Sequence, residues 1–143
     1  MQVRIKTPHE WWLNYETSWA CAFDFKCSEQ ITINPGEYKL VETWTVVETP
    51  EGYVLLTAPR SSTFKKFWLI QVNSCGIIDN DYCWDNDTIK FPFLNMRSES
   101  ITLNVGERIG QWMFVKIEKA ELINVETMWD KKDRWGFGTT GHN

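Results

Sequence analysis

The stretch YKLVETWTVVETPEGYVLLTA (38–58) decides the fold. Its first eleven residues alternate apolar and polar side chains, the period of a strand with one buried face. Thr-Pro-Glu-Gly (49–52) then supplies turn residues, and YVLLTA (53–58) runs back. The flanks read the same way. ITI (31–33) precedes a second turn, Asn-Pro-Gly-Glu, and FWLIQV (67–72), TIKFPFLN (88–95) and SITLN (100–104) follow as further short β-type runs. RIGQWMFVKIEKAEL (108–122) completes the set after the turn Asn-Val-Gly-Glu. Val, Ile, Thr, Phe, Trp and Tyr dominate, residues that pack well on a pleated surface. The expected fold class is therefore all-β, a sandwich or barrel. Residues 115–128 hold no clean helical period and are expected to form a strand, a bend and a further strand or single turn.

The chain has 143 residues, enough for one domain that folds without staples. Its apolar fraction is 43%, with nine Trp. A net charge of −4 argues against a broad nucleic-acid surface, which needs excess Lys and Arg. No 18-residue apolar run exists to span a membrane, and the start lacks the apolar core of a signal peptide. Cys21, Cys27, Cys75 and Cys83 show no C-x-x-C spacing, and only His9 and His142 could join them, so a zinc site is not expected. The thiols are expected to be free, in a reducing cytoplasm. The tail from residue 131 to 143 carries Gly, Thr and charge without an apolar period, and is expected to be mobile when no ligand is bound. Residues 1–130 then form the domain.

Four stretches carry candidate chemistry. APRSSTFKK (58–66) sets a guanidinium beside two hydroxyls, donors that can share one anion or simply make a polar turn. GERIGQWMF (106–114) places the amide of Gln111 after a turn. RWGFGTTG (134–141) is glycine-rich like a phosphate loop, though no G-K-[ST] follows. DNDYCWDND (79–87) fails the EF-hand pattern, since Cys83, Trp84 and Lys90 fall where Asp or Asn, Gly and Glu are required.

Their order carries more than each does alone. ACAFDF (20–25), PRSS (59–62), NSCGIIDNDY (73–82), GERIGQW (106–112) and terminal GFGTTG (136–141) resemble the five ordered motifs of the trimeric dUTP pyrophosphatases, the dUTPases. The inserted WDND (84–87) is similar to the longer hairpin of phage and bacillus-type members. The resemblance implies a distorted jelly-roll or β-barrel subunit in a homotrimer, with each active site gathered from three chains. It implies Asp79 as the base that activates the attacking water, and Tyr82 as the ring under deoxyribose that leaves no room for a 2′-hydroxyl. Asn73 and the backbone of Gly76, Ile77, Ile78, Ile89 and Lys90 would read uracil. Arg60, Ser61, Ser62 and Gln111 would hold phosphates, with Asp24 in support. In the tail, Phe137 would close over the base, Arg134 would reach the terminal phosphate, and Gly138 and Thr139 would ring the anion.

The implied function is hydrolysis of dUTP to dUMP and pyrophosphate, with Mg²⁺ held mainly through the substrate phosphates rather than by a protein cage. Location in the cytoplasm follows, that of the host if a phage encodes the chain. Two other uses of the fold remain: a regulatory, protein-binding module with an unknown protein partner, and a dCTP deaminase-like enzyme, which would lack the I-D-x-D-Y hairpin. The sequence departs from the family pattern at Ala22, where the first motif usually has Gly, at Cys75, where Pro is usual, and at Trp44 and Trp84, where Gly is common. The Arg134-to-Phe137 spacing is also short, so Lys131 or Lys132 could replace Arg134.

Overall fold

A computed structural model describes residues 1–128. The strands are β1 (Ile5–Lys6), β2 (Phe23–Lys26), β3 (Ile31–Ile33), β4 (Tyr38–Glu42), β5 (Val46–Val47) and β6 (Tyr53–Pro59). A short helix α1 (Thr63–Phe67) precedes β7 (Leu69–Gln71), β8 (Gly76–Ile78), β9 (Lys90–Asn95), β10 (Ile101–Leu103) and β11 (Arg108–Lys116). All described pairings are antiparallel. They build a four-stranded sheet β2-β11-β6-β8, a three-stranded sheet β4-β9-β7, and the pairs β1-β5 and β10-β3. This is the nearly all-β fold that the alternating runs imply, and the jelly-roll-like subunit that the resemblance implies.

Alternation fills the core. In β9, Phe91, Phe93 and Asn95 point inward. Phe91 meets Phe25 of β2 edge-on, centroids 5.4 Å apart, and stacks on Phe93 at 5.7 Å. Ile33, Val41, Leu55, Leu69, Leu103 and Ile109 close the remaining space. Gly110 gives Phe91 its room, because a Cβ on it would stand 2.0 Å from the Phe91 ring. Cys27 is also in the core, and burial pushes its thiol up to about 11, so it stays protonated. All four cysteines are free. No helix of the described residues is long and apolar enough to cross a membrane.

The three glycine turns form as expected, with Gly36, Gly52 and Gly106 at φ 69°, 77° and 83°. In two of them the glutamate completes the turn. The N–H of Asn34 donates to the Glu37 carboxylate at 2.7 Å, and that of Asn104 to Glu107 at 2.9 Å.

Three expectations need correction. The run 38–48 is two strands, because Trp44 takes a left-handed φ of 47° and turns the chain between β4 and β5. Helix α1 takes Phe67 from the expected strand 67–72 and ends on Trp68, at φ 56°. Strand β11 stops at Lys116, where its partner β6 begins at Tyr53. Residues 117–128 form no further strand or helix.

Candidate active site

Two groups of side chains stand on the four-stranded sheet, and the carboxylate of the second leaves it at the end opposite the first. The first is built by register. Asp24 on β2 pairs with Gln111 on β11, which pairs with Ala58 on β6. Arg60 follows β6 directly, so Asp24, Gln111 and Arg60 share one end. Arg60 Nε donates to Asp24 Oδ1 at 2.8 Å, and Arg108 Nη1 donates to Oδ2 at 3.3 Å. The Asp24 side chain is only 11% exposed, so one nearly buried carboxylate orients two guanidinium groups. Arg108 Nη1 also meets Glu16 Oε2 at 2.9 Å. Gln111 Nε2 donates to the Pro59 carbonyl at 3.2 Å, which lays its amide along the end of β6.

Ser61 and Ser62 follow at the start of α1, Ser61 exposed and Ser62 half-buried. Thr63 fixes this turn. Its hydroxyl accepts from the Arg60 N–H at 3.0 Å and donates to the Ile109 carbonyl at 3.1 Å. The result is a surface of guanidinium, hydroxyl and amide groups at one sheet end, chemistry that suits an anion.

The second group runs along β8, which lies antiparallel to β6 with Gly76 opposite Thr57, toward the Arg60 end, and Ile78 opposite Leu55, so that Asp79 leaves at the far end. Gly76 admits this approach, since a Cβ on it would stand 2.2 Å from Thr57 Oγ1. Asn73 precedes it in a tight turn, its Oδ1 accepting from Gln71 Nε2 at 2.9 Å. Ile77 is exposed and Ile78 half-buried. Asp79 leaves the strand exposed, on a cleft of about 350 Å³ that Tyr53, Asn80 and Lys119 also line. Asn80 anchors this corner: its Nδ2 lies 3.0 Å from the carbonyls of Thr49 and Pro50 and 3.2 Å from that of Tyr53. The Tyr82 hydroxyl donates to the Thr88 carbonyl at 3.1 Å. Ile89 is buried, with its N–H donated to the Thr45 carbonyl at 2.8 Å, while Lys90 Nζ lies 3.3 Å from Glu42 Oε2.

The register therefore brings Asp24, Arg60 and Gln111 together and holds Asp79 away from them. Extending the pairing one step past Ile78 sets Asp79 level with Val54. From Val54 to Arg60 is roughly 20 Å of strand at ~3.4 Å per residue. Arg134, Phe137, Gly138 and Thr139, with Lys131 and Lys132, lie outside the described residues.

Arg108 and Asn80 were not among the residues expected from sequence. Both stand inside quoted motifs, GERIGQW and GIIDNDY, but their roles depend on partners 84 and 27–31 residues away. Among the described residues, no group of three or more His, Cys, Asp or Glu converges as a metal site.

A family model described as dUTPase matches residues 11–141. The chain is 40% identical over 119 residues to the SPbeta prophage-derived deoxyuridine 5'-triphosphate nucleotidohydrolase YosS of Bacillus subtilis, covering 82% of each chain. Among solved structures, dUTPase from Streptococcus mutans is 31% identical with a TM-score of 0.73, over 76% of this chain and 88% of that one. The Staphylococcus bacteriophage 80alpha dUTPase with dUPNHPP has a TM-score of 0.83 over 98% of both chains, at 23% identity, a likeness of fold alone.

Proposed function

The chain belongs to the dUTPase family, and from that premise we propose that it hydrolyses dUTP to dUMP and pyrophosphate in sites shared between copies of itself. The single observation that carries this reading is the division of the site. A general base must lie within ~3 Å of the water it deprotonates. Asp79 and the Arg60 surface of one chain are too far apart to serve one triphosphate. In a homotrimer, Asp79 of one copy faces the Arg60, Ser61, Ser62 and Gln111 surface of another. The outer face of β4-β9-β7 supports assembly: exposed Tyr38, Leu40, Trp68, Ile70, Val72 and Met96 make it apolar, as an interface would be.

In this reading Asp79 takes a proton from a water aimed in line at the α-phosphate. Arg60, Ser61, Ser62 and Gln111 hold the pyrophosphate and take up the charge that develops on it. Asp24 fixes the Arg60 fork. Asn73, Gly76–Ile78 and the Ile89–Lys90 segment border the base, and Tyr82 packs against deoxyribose. Residues 131–143 close over the bound nucleotide through Phe137, Gly138 and Thr139, with Arg134, or Lys131 or Lys132 in its place, on the terminal phosphate. A divalent ion such as Mg²⁺ fits a site without a protein cage if triphosphate oxygens and water supply its ligands, and it would neutralise phosphate charge there.

The test is release of pyrophosphate from dUTP measured against dCTP, with ammonia assayed in parallel. dUMP and pyrophosphate from dUTP alone support the reading. Ammonia from dCTP would mean a deaminase, and no product from either would leave the fold as a binding module.

A further inference from the structure

Glu42 ends β4 and lies outside the five ordered motifs, yet its carboxylate is only 13% exposed and is bonded at both oxygens. Oε1 accepts the N–H groups of Thr43 and Trp44, each at 2.9 Å. Oε2 accepts the Thr88 hydroxyl at 2.9 Å and lies 3.3 Å from Lys90 Nζ. The first pair of bonds holds Trp44 in a left-handed conformation that a bulky residue adopts only under constraint. The second pair reaches across to the segment that leads into β9. Two more bonds lace the same strip. The Ile89 N–H donates to the Thr45 carbonyl at 2.8 Å, and Thr43 Oγ1 donates to the Ile89 carbonyl at 2.6 Å.

The strip ends at Tyr82, whose hydroxyl donates to the Thr88 carbonyl. The hydroxyl of Thr88 is tied to Glu42 while its carbonyl is tied to Tyr82. One carboxylate thus orients the peptide that anchors the tyrosine.

We propose that Glu42 is a positioning residue for sugar selection: through Thr88 it fixes the carbonyl that holds Tyr82, and so fixes the ring that excludes a 2′-hydroxyl. The proposal rests on the reading of Tyr82 as the residue under deoxyribose. The chemistry of the two oxygens separates it from a purely structural role. Glu42→Gln keeps an acceptor for the Thr43 and Trp44 amides, so the turn stays capped. The amide nitrogen that replaces Oε2 can only donate, so it can meet Thr88 Oγ1 only with the bond reversed and faces the Lys90 ammonium with another donor; Thr88→Val, which can make neither bond, is the decisive variant. Thr88→Val removes the hydroxyl alone and leaves the carbonyl in place.

The experiment measures kcat/KM for dUTP and for UTP in the full-length protein, Glu42→Gln and Thr88→Val, with hydrogen exchange across residues 79–88. Each variant should lower the dUTP-to-UTP ratio by about three- to tenfold, the worth of one hydrogen bond. Exchange over 79–88 should quicken while the core strands stay protected. A ratio within twofold of the parent in both variants would overturn the proposal, as would equal loss on both substrates, which marks a structural role only. If the parent does not hydrolyse dUTP, the functional reading fails by itself. The exchange arm then still decides the positioning claim, and unchanged protection over 79–88 would sink it.

Discussion

Gly110→Ala is the substitution whose cost the structure defines most closely. An added Cβ would stand 2.0 Å from Phe91 Cε1, 2.2 Å from Cζ and 2.8 Å from Cδ1. The shortest of these is roughly 1.5–2 Å short of ordinary van der Waals contact. The phenyl ring cannot swing aside, because Phe91 is fully buried between Phe25 and Phe93. Strand β11 must therefore shift where it also carries Gln111 and pairs with β2 and β6. Overpacking of this kind costs about 1–3 kcal/mol. For a domain of this size the melting temperature should fall by about 3–12 °C. Thermal denaturation at one fixed protomer concentration is the assay, since assembly alone can move the transition. Phe91→Leu removes the colliding ring, so the double variant should recover about 0.5–3 kcal/mol relative to additivity. A melting temperature within 1 °C of the parent for Gly110→Ala, or strict additivity in the pair, would refute the packing argument.

Asp79→Asn should lower kcat by about 10²–10⁴-fold, the usual share of a general base. Calorimetric binding of dUTP should persist, and near-normal turnover would remove Asp79 from the chemistry. Deleting residues 131–143 should leave the far-ultraviolet circular dichroism and the assembly size unchanged while dUTP turnover falls by orders of magnitude; turnover close to the full-length rate would refute the closing role of the tail. Acid should weaken the 34–37 turn. The Asn34 N–H, with Lys39 in support, holds the Glu37 carboxyl below its ordinary 4.5, so its stabilisation is present above pH 4.5 and is lost as pH falls through the folded-state value. Glu37→Gln should flatten the acid limb of a melting-temperature profile, and an unchanged profile would contradict this.

Turns and strand polarity were legible because their causes are local. Gly36, Gly52 and Gly106 each sit in a tight four-residue turn between strands of different sheets, where the chain demands positive φ, and Pro35 and Pro50 mark two of these turns. Trp44 hid the break in 38–48, because a left-handed tryptophan is held by Glu42 rather than by its own preference. Helix α1 spans a single turn, too short for a helical period to show, and it is held by Thr63 on β11. Motif order led to Asp24, Arg60 and Gln111, but only the register places them on one sheet end. The contribution of Arg108 to Asp24 and the apolar outer face of β4-β9-β7 are products of strand pairing. Neither has a one-dimensional signature.

The divided site is tested most directly by mixing two inactive variants. Asp79→Asn spoils one end of the sheet, and Arg60→Ala spoils the other. The two chains are co-expressed in equal amounts, purified as mixed assemblies and assayed for pyrophosphate release from dUTP. When each site draws Asp79 from one copy and Arg60 from another, random assortment leaves about one site in four intact. The account predicts about a quarter of parental activity from a mixture of two variants that are each nearly inactive. Activity no greater than the sum of the separate variants would mean that both residues act within one chain or not at all, and would contradict it.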